Sequence, residues 1–270
     1  MPRPTIDLLI SDIDGTLLTS NHELTPATKR VALELRMSGI HLCLVSSRPP
    51  RFIKPIAREL GLRAPFAAFN GALIQLPDDQ ILAHSVVPST IAQRIRAIAM
   101  QIGLDVWLYD QNDWWVAMRT PFVDREAQTA GFLPRTEGYP AQLKRENVKL
   151  TVVGTPDVVL RAEERMRGEL GSVVSTSRSK PRFLDITAFG WNKSMVLKRL
   201  ATLLNLTPEQ IAVIGDGPGD APLFKQSILS IAMGQSVDSV KNQATHVTTS
   251  NDDEGWARGV EQFILKQRPK

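Results

Sequence analysis

Three stretches of this 270-residue chain place ionic or hydroxyl side chains directly after an apolar run, where they could act on a bound group. The first is Ser11-Asp12-Ile13-Asp14-Gly15-Thr16, following Ile6 to Ile10. Two carboxylates two apart leave the carboxyl end of a buried strand, the edge at which open parallel sheets hold ligands, and strand residues i and i+2 share a face. Such a pair can form a calcium loop, cap a helix, or divide the work of nucleophile and acid. Leu17 and Leu18 stand where a calcium loop would need oxygen donors. The second stretch is Ile214-Gly215-Asp216-Gly217-Pro218-Gly219-Asp220. It is not a dinucleotide fingerprint, because Asp220 occupies the third glycine position, and the chain has no Gly-Lys-Ser/Thr phosphate loop. What remains is a tight turn presenting acids. It reads either as an Asx-type cap for a helix from Pro218 or as oxygen donors for a hard cation such as Mg²⁺, which keeps waters and takes few protein ligands. The third element is a pair: Ser46, after Ile40 to Val45, and Lys193, near the start of a later helix. Singly these read as a cap and a solvated lysine; beside the acids they are candidates to hold an anion.

Apolar runs alternate with helical patterns over the first 75 residues, which predicts a parallel sheet covered by helices. One helix has Thr25 as N-cap, Pro26 at its first position, Val31 and Leu35 on one face and Gly39 beyond its end. A second opens at Pro49-Pro50, ends at Gly61 and turns Ile53, Ile56, Ala57 and Leu60 inward, with Phe66 to Phe69 as the next strand. Past Asn70-Gly71 the pattern changes: Ala72 to Leu76 and Ile81 to Val87 read as a hairpin. There follow a helix with Ile91, Ile95, Ile98 and Ile102 inward, strands near 104–109 and 114–118, and a loop rich in Pro and Gly. Strand Val148 to Val153, a helix to Leu170 and strands near 173–177 and 182–187 complete this part. Helix–strand alternation then resumes with Ile211 to Ile214, Ile228 to Met233 and Thr245 to Val247. The expected fold class is α/β, a Rossmann-like parallel-sheet core interrupted by an inserted α+β unit. The division is 1–85 and 188–270 for the core and 86–187 for the insert.

Composition excludes other classes. With 43% hydrophobic and 22% charged residues, 17 Gly and 18 Pro, the chain has the balance of an ordinary folded protein rather than a disordered, collagen-like or coiled-coil one. Its single cysteine, Cys43, cannot pair internally and lies in an apolar run. It reads as core filler in a reducing, cytoplasmic setting. No apolar stretch approaches the 18 residues of a membrane span, and Met1 to Ile10 does not have the pattern of a cleaved signal. The net charge of +4 is spread over pairs such as Lys29-Arg30, Lys144-Arg145 and Lys198-Arg199. Scattered charge is a solvated face, so neither nucleic acid nor membrane is expected as a partner. Nothing in the sequence reports oligomeric state, and a monomer is the expectation.

In order along the chain, Asp12-Ile13-Asp14-Gly15-Thr16-Leu17, Ser46-Ser47-Arg48-Pro49, Lys193 and Gly215-Asp216-Gly217-Pro218-Gly219-Asp220 resemble the four motifs of the haloacid dehalogenase superfamily of aspartate-nucleophile phosphatases. The likeness is nearest its Cof-type branch. Asn70-Gly71-Ala72, and the tail from Met233-Gly234-Gln235 through Thr249-Ser250-Asn251-Asp252-Asp253-Glu254-Gly255, match its secondary signatures. The resemblance spans the chain and implies that superfamily's fold, with a substrate-selecting α/β cap inserted between Ser46 and Lys193. It implies Asp12 as nucleophile and Asp14 as general acid, then base. Asp216 would bind Mg²⁺ with Asp12 and the Asp14 carbonyl, and Asp220 would be an outer or additional ligand. Ser46 and Ser47 would bind substrate, Ser46 through a phosphoryl oxygen, and Lys193 would bridge that oxygen and the nucleophile. Asn251 and Asp252 would line the site. Three departures stand out: Ser46-Ser47 replaces the usual Thr-Gly, Gly219 replaces an Asn that orders the loop, and Trp191 replaces a small residue and would narrow the entrance.

The implied activity is Mg²⁺-dependent hydrolysis of small phosphomonoesters, sugar phosphates or related metabolites, through an aspartyl phosphate. A phosphotransferase or mutase, or a non-catalytic metal- or phospholigand-binding module, are the competing readings. A carboxylate attacking a phosphate dianion meets a repulsion of about 4 kcal/mol at 4 Å for an effective dielectric near 20, and Mg²⁺ with Lys193 would reverse it. Acid catalysis by Asp14 calls for a closed, dry surrounding under the cap. Candidate substrate selectors are Trp114 and Trp115, set to pack one on each side of a strand, and Arg119, Arg178, Lys180 and Arg182. The basic residues would favour substrates with additional negative charge.

Overall fold

A computed structural model describes residues 6–267. The part of the amino-terminal reading that concerns residues 1–5 lies outside the described residues. Along the first segment the chain forms β1 (Leu8–Asp12), α1 (Pro26–Met37), β2 (His41–Val45), α2 (Pro50–Glu59), β3 (Phe66–Ala68) and the antiparallel pair β4 (Leu73–Gln75) and β5 (Ile81–His84). The interposed segment holds α3 (Ser89–Gln101), β6 (Asp105–Tyr109), β7 (Trp114–Trp115), α4 (Pro121–Ala130), α5 (Tyr139–Leu143), β8 (Lys149–Val153), α6 (Pro156–Leu170), β9 (Val174–Lys180) and β10 (Phe183–Ala188). The last segment adds α7 (Val196–Leu204), β11 (Ile211–Gly215), α8 (Ala221–Phe224), β12 (Leu229–Ala232), α9 (Asp238–Lys241), β13 (His246–Val247) and α10 (Gly255–Phe263).

The strands make two sheets. Eight strands run in the order β13-β12-β11-β1-β2-β3-β4-β5, parallel from β13 to β3, and five run antiparallel in the order β7-β6-β8-β10-β9. Every residue of β1 is buried, as for a parallel strand covered on both faces. Alternate residues feed opposite sides. Leu9 joins Val31, Leu35, Trp256 and Val260 of α1 and α10, whereas Leu8 and Ile10 join Leu197, Leu200, Leu223 and Phe224 of α7 and α8. Removing a side chain of that size from water contributes about 1.5–3 kcal/mol each. The ends of α1 follow local rules: Thr25 accepts from the Thr28 N–H at 3.1 Å, Pro26 opens the helix and Gly39 leaves it at φ +73°.

Four expectations are corrected. The stretch expected as a Pro- and Gly-rich loop before Val148 contains α4 and α5. Thr120 caps α4 by accepting from Val123 N–H at 3.2 Å, with Pro121 at the first turn and Gly131 closing at φ +78°. That start and stop chemistry outweighs composition. The strand expected over 114–118 ends at Trp115. β9 runs on to Lys180, past the expected end near 177, so Arg178 lies in the strand. The helix expected from Pro218 begins at Ala221, because Pro218 and Gly219 are consumed by the turn that Asp220 closes.

Candidate active site

Register brings the catalytic candidates together. β1 lies between β11 and β2 with Ser11 opposite Ile214 and Asp12 opposite Val45, so the chains leaving these three strands emerge side by side. Carboxylate oxygens of Asp12, Asp216 and Asp220 all lie within 4.8 Å of one another. Thr16 Oγ1 donates to Asp216 Oδ1 at 2.9 Å. Asp220 Oδ2 accepts from the backbone N–H groups of Asp216 and Gly217 at 3.2 and 3.0 Å, the Asx-type closure. Its Oδ1 faces Lys193 Nζ at 2.6 Å, and the same ammonium lies 2.5 Å from Asp12 Oδ1. Asp220 therefore serves both the turn and the cluster.

The electrostatics of this group are unbalanced. Burial pushes the Asp12 carboxyl well above the usual carboxylate range; Lys193 pulls it down, and Asp220 and Asp216 push it up again. Burial, then Asp220, raises Asp216 as well. Burial alone would lower Lys193, but the charges of Asp12 and Asp220 outweigh it and hold the ammonium above its usual value. Three acids, Asp12 and Asp220 buried and Asp216 partly so, against one ammonium leave an excess of negative charge on oxygen donors alone, the donor set that suits a hard divalent cation. The residues present fit Mg²⁺.

Asp14 departs from the same-face expectation. The strand ends at Asp12, and residues 13–17 form a single π-type turn with Asp14 at φ −74°, ψ 123° and Gly15 at φ +76°. The Asp14 carboxylate accordingly turns away from the acidic trio. It accepts from Arg48 Nε and Nη2, both at 2.8 Å, and His22 Nδ1 lies 3.4 Å away. With the side chain 32% exposed, the dry surrounding expected of it is not present, and only its main-chain carbonyl is left for a cation. Arg48 is the functional candidate that sequence reasoning quoted without assigning. Its backbone N–H donates to Ser46 Oγ at 3.1 Å, its Nη1 donates to the Thr129 carbonyl at 3.1 Å, and its guanidinium stacks 4.1 Å over Phe52. Ser46 is buried at the end of β2, and Ser47 presents its carbonyl to Lys149 Nζ at 2.9 Å.

A cavity of about 300 Å³ opens beside Asp14, Ser47 and Arg48 and is walled by the five-stranded sheet. Its wall comes from strand alternation. Val106, Leu108, Leu150, Val152, Leu184 and Ile186 pack inward against α3 and α6, so their neighbours Trp107, Tyr109, Lys149, Thr151, Phe183 and Asp185 face the cavity. Of the expected selectors, Trp114 and Lys180 line it. Trp115 packs on the opposite face with Tyr139, as the one-on-each-side reading required. Arg119 pairs with Asp124, Arg178 with Glu163, and Arg182 lies over Phe122; none of the three lines the cavity. Trp191 is covered by the Arg199 guanidinium at 3.8 Å and does not narrow this entrance. Asn251 Nδ2 donates to the Leu18 carbonyl at 3.0 Å and Asp252 accepts from Ser20; both fasten the loop that follows β1, and neither lines the cavity. Gly219 leaves room: a Cβ there would sit 3.8 Å from Lys193 Cδ.

Comparison with known proteins agrees with this fold. Residues 9–260 match the haloacid dehalogenase-like hydrolase family. The chain is 26% identical over 258 residues to a Haemophilus influenzae protein provisionally named a phosphatase, covering 94% of this chain and 97% of that one. It is 24% identical over 269 residues to the Bacillus subtilis 5-amino-6-(5-phospho-D-ribitylamino)uracil phosphatase YitU, covering 95% and 97%. A haloacid dehalogenase-like hydrolase from Bacteroides thetaiotaomicron shares the fold with a TM-score of 0.87 and 26% identity over 96% of this chain and 99% of that one. No helix among the described residues is long and apolar enough to cross a membrane. With a family match over nearly its whole length, the chain belongs to the haloacid dehalogenase-like hydrolases.

Proposed function

We propose that the protein is a Mg²⁺-dependent phosphatase of small phosphorylated metabolites, sugar phosphates among them, working through an aspartyl phosphate on Asp12. The observation that carries this reading is the single ammonium of Lys193 set between Asp12 and Asp220 beside Asp216. Asp12, Asp216 and the Asp14 carbonyl would hold the cation, with Asp220 as an outer or additional ligand. Bound there, Mg²⁺ supplies positive charge that offsets the acids and polarises phosphoryl oxygens.

The chain's own residues do the rest. Asp12 Oδ forms a bond to phosphorus as the phosphorus–oxygen bond to the leaving group breaks, and Lys193 holds the nucleophile and a phosphoryl oxygen in place. Asp14 gives the leaving oxygen its proton, then takes one from the water that attacks phosphorus, freeing inorganic phosphate and restoring Asp12. To do so Asp14 must first be released by Arg48, whose guanidinium would exchange the Asp14 carboxylate for the phosphoryl group. Ser46 and Ser47 bind substrate. Residues 86–187 serve as the cap that selects it, and residues 1–85 and 188–270 as the core. The sugar phosphatase among the structures that share the fold, and the phosphorylated substrate in the name of the Bacillus relative, support a small phosphorylated metabolite. Buried Cys43 fits a cytoplasmic setting.

Turnover of an aryl phosphate with Mg²⁺, its loss with chelator and its return on adding Mg²⁺ test the reading. Stoichiometric release of inorganic phosphate separates hydrolysis from transfer to a second hydroxyl. No Mg²⁺-dependent turnover across a metabolite-phosphate panel would overturn it.

A further inference from the structure

Building on the hydrolase reading, we infer that the cavity beside Asp14 selects phosphomonoesters whose leaving group is uncharged and presents a flat ring, with Lys149 and Asp185 receiving its hydrogen-bonding edge. The first ground is charge. The cations lining the cavity are Arg48, Lys149 and Lys180. Each faces a carboxylate of the same lining: Asp14 at 2.8 Å, Asp185 at 3.2 Å and Glu126 at 2.9 Å. His22, also in the lining, faces Asp14. No lining cation among the described residues is therefore spare. A leaving group with its own carboxylate or second phosphate adds negative charge to a lining whose cations already face carboxylates, and the side chains of Lys149 and Asp185 are only 6% and 2% exposed. Taking one partner from a buried pair strands the other charge, which costs more than the new contact returns.

The second ground is shape. Trp107, Tyr109, Trp114, Phe132 and Phe183 supply the apolar wall, and aromatic side chains give large contact areas to flat rings. At about 30 Å³ per water, the cavity holds roughly ten waters' worth of ligand, enough for a ring and a short chain. The third ground is spare hydrogen-bonding capacity. Trp107, Thr151 and Asp185 form one cross-strand row, with Tyr109 and Lys149 paired beside it. Asp185 Oδ1 accepts from Lys149 Nζ at 3.2 Å and Thr151 Oγ1 at 2.8 Å, while Oδ2 accepts from Asn70 Nδ2 at 3.3 Å. Lys149 Nζ gives one N–H to Ser47 O and one to Asp185 and lies 4.5 Å from the centre of the Tyr109 ring. An ammonium has three donors and a carboxylate about four acceptor positions, so an N–H and a lone pair remain for a hydroxyl or amide edge.

Matched substrates test this with Mg²⁺ present. Sorbitol 6-phosphate and 6-phosphogluconate differ by a hydroxymethyl against a carboxylate, and kcat/KM should favour the first by about tenfold or more. Uridine 5′-monophosphate and ribose 5-phosphate differ by a flat ring, and kcat/KM should favour the first by about tenfold or more. Glu126→Gln, in a partly exposed pair of the kind that contributes little to stability, frees Lys180 and should shrink the sorbitol 6-phosphate preference severalfold; Asp185→Asn, if it folds, should shrink it further. Equal constants within either matched pair, or a preference that Glu126→Gln leaves unmoved, overturn the inference. Acetyl phosphate, too small to reach the aromatic wall, keeps the two claims apart. If neither it nor any member of the matched pairs is hydrolysed with Mg²⁺, the phosphatase reading fails and takes this one with it; if it is hydrolysed while the matched pairs are equal, only the cavity inference falls.

Discussion

At Asp12 one carboxylate oxygen already faces the Lys193 ammonium at 2.5 Å, so the group proposed to attack phosphorus is held by a contact that an amide would weaken without emptying the space. Asp12→Asn should cut kcat by roughly 10³-fold or more with the circular dichroism spectrum unchanged; a rate within tenfold of the unmodified enzyme ends the nucleophile assignment. Asp14→Asn should lose about 10²- to 10⁴-fold on a sugar phosphate and much less on an aryl phosphate, whose leaving oxygen needs little protonation. Equal losses on both would count against a proton-donor role. The sequence shows Asp12 and Asp216 as candidates because each lies next to the end of an apolar run, Asp220 because it ends the same glycine-rich turn as Asp216, and Lys193 because it stands near the start of the helix that resumes the core pattern. It shows Lys149 and Asp185 poorly. Each is a single charged residue within an otherwise apolar or hydroxyl-bearing strand, and which strand face looks at the core is a property of the packed sheet.

Helix ends and turns are where local chemistry decides most. Thr120, Pro121 and Gly131 carry enough start and stop information to have placed α4, and Thr120→Ala should destabilise the protein by about 1 kcal/mol, read as a lowered thermal midpoint. An unchanged midpoint would mean that α4 is held by packing alone. Gly15 shows a turn fitted to the site: at φ +76° an added Cβ would also lie 2.7 Å from Asp216 Oδ2. Gly15→Ala should therefore cost about 1–3 kcal/mol of stability and raise the Mg²⁺ concentration needed for half-maximal rate, because Asp216 must move. A variant with unaltered Mg²⁺ dependence would show that the turn and the acidic trio are independent.

Across the whole molecule, the two sheets are tied by a few buried polar contacts, chiefly Lys149 to the Ser47 carbonyl and Asn70 to Asp185. Lys149→Met leaves Asp185 without its ammonium and should destabilise by roughly 3–5 kcal/mol, with part of the loss recovered when Asp185→Leu is added. A loss under about 1 kcal/mol in chemical denaturation would show that this junction is not stabilised by the pair. The sequence by itself determined the parallel arrangement of the first strands beneath helices, the caps of α1, and the acids that follow the apolar runs of β1 and β11. These are local signals: apolar run length, capping residues and turn glycines act within a few residues of themselves. Only the tertiary structure decided that Asp14 turns to Arg48, that Arg178 and Arg182 are spent on pairs away from the cavity, and that a charge-balanced aromatic wall stands over the core. Those outcomes depend on which faces meet across a hundred or more residues of chain, and no residue's type states its distant neighbour.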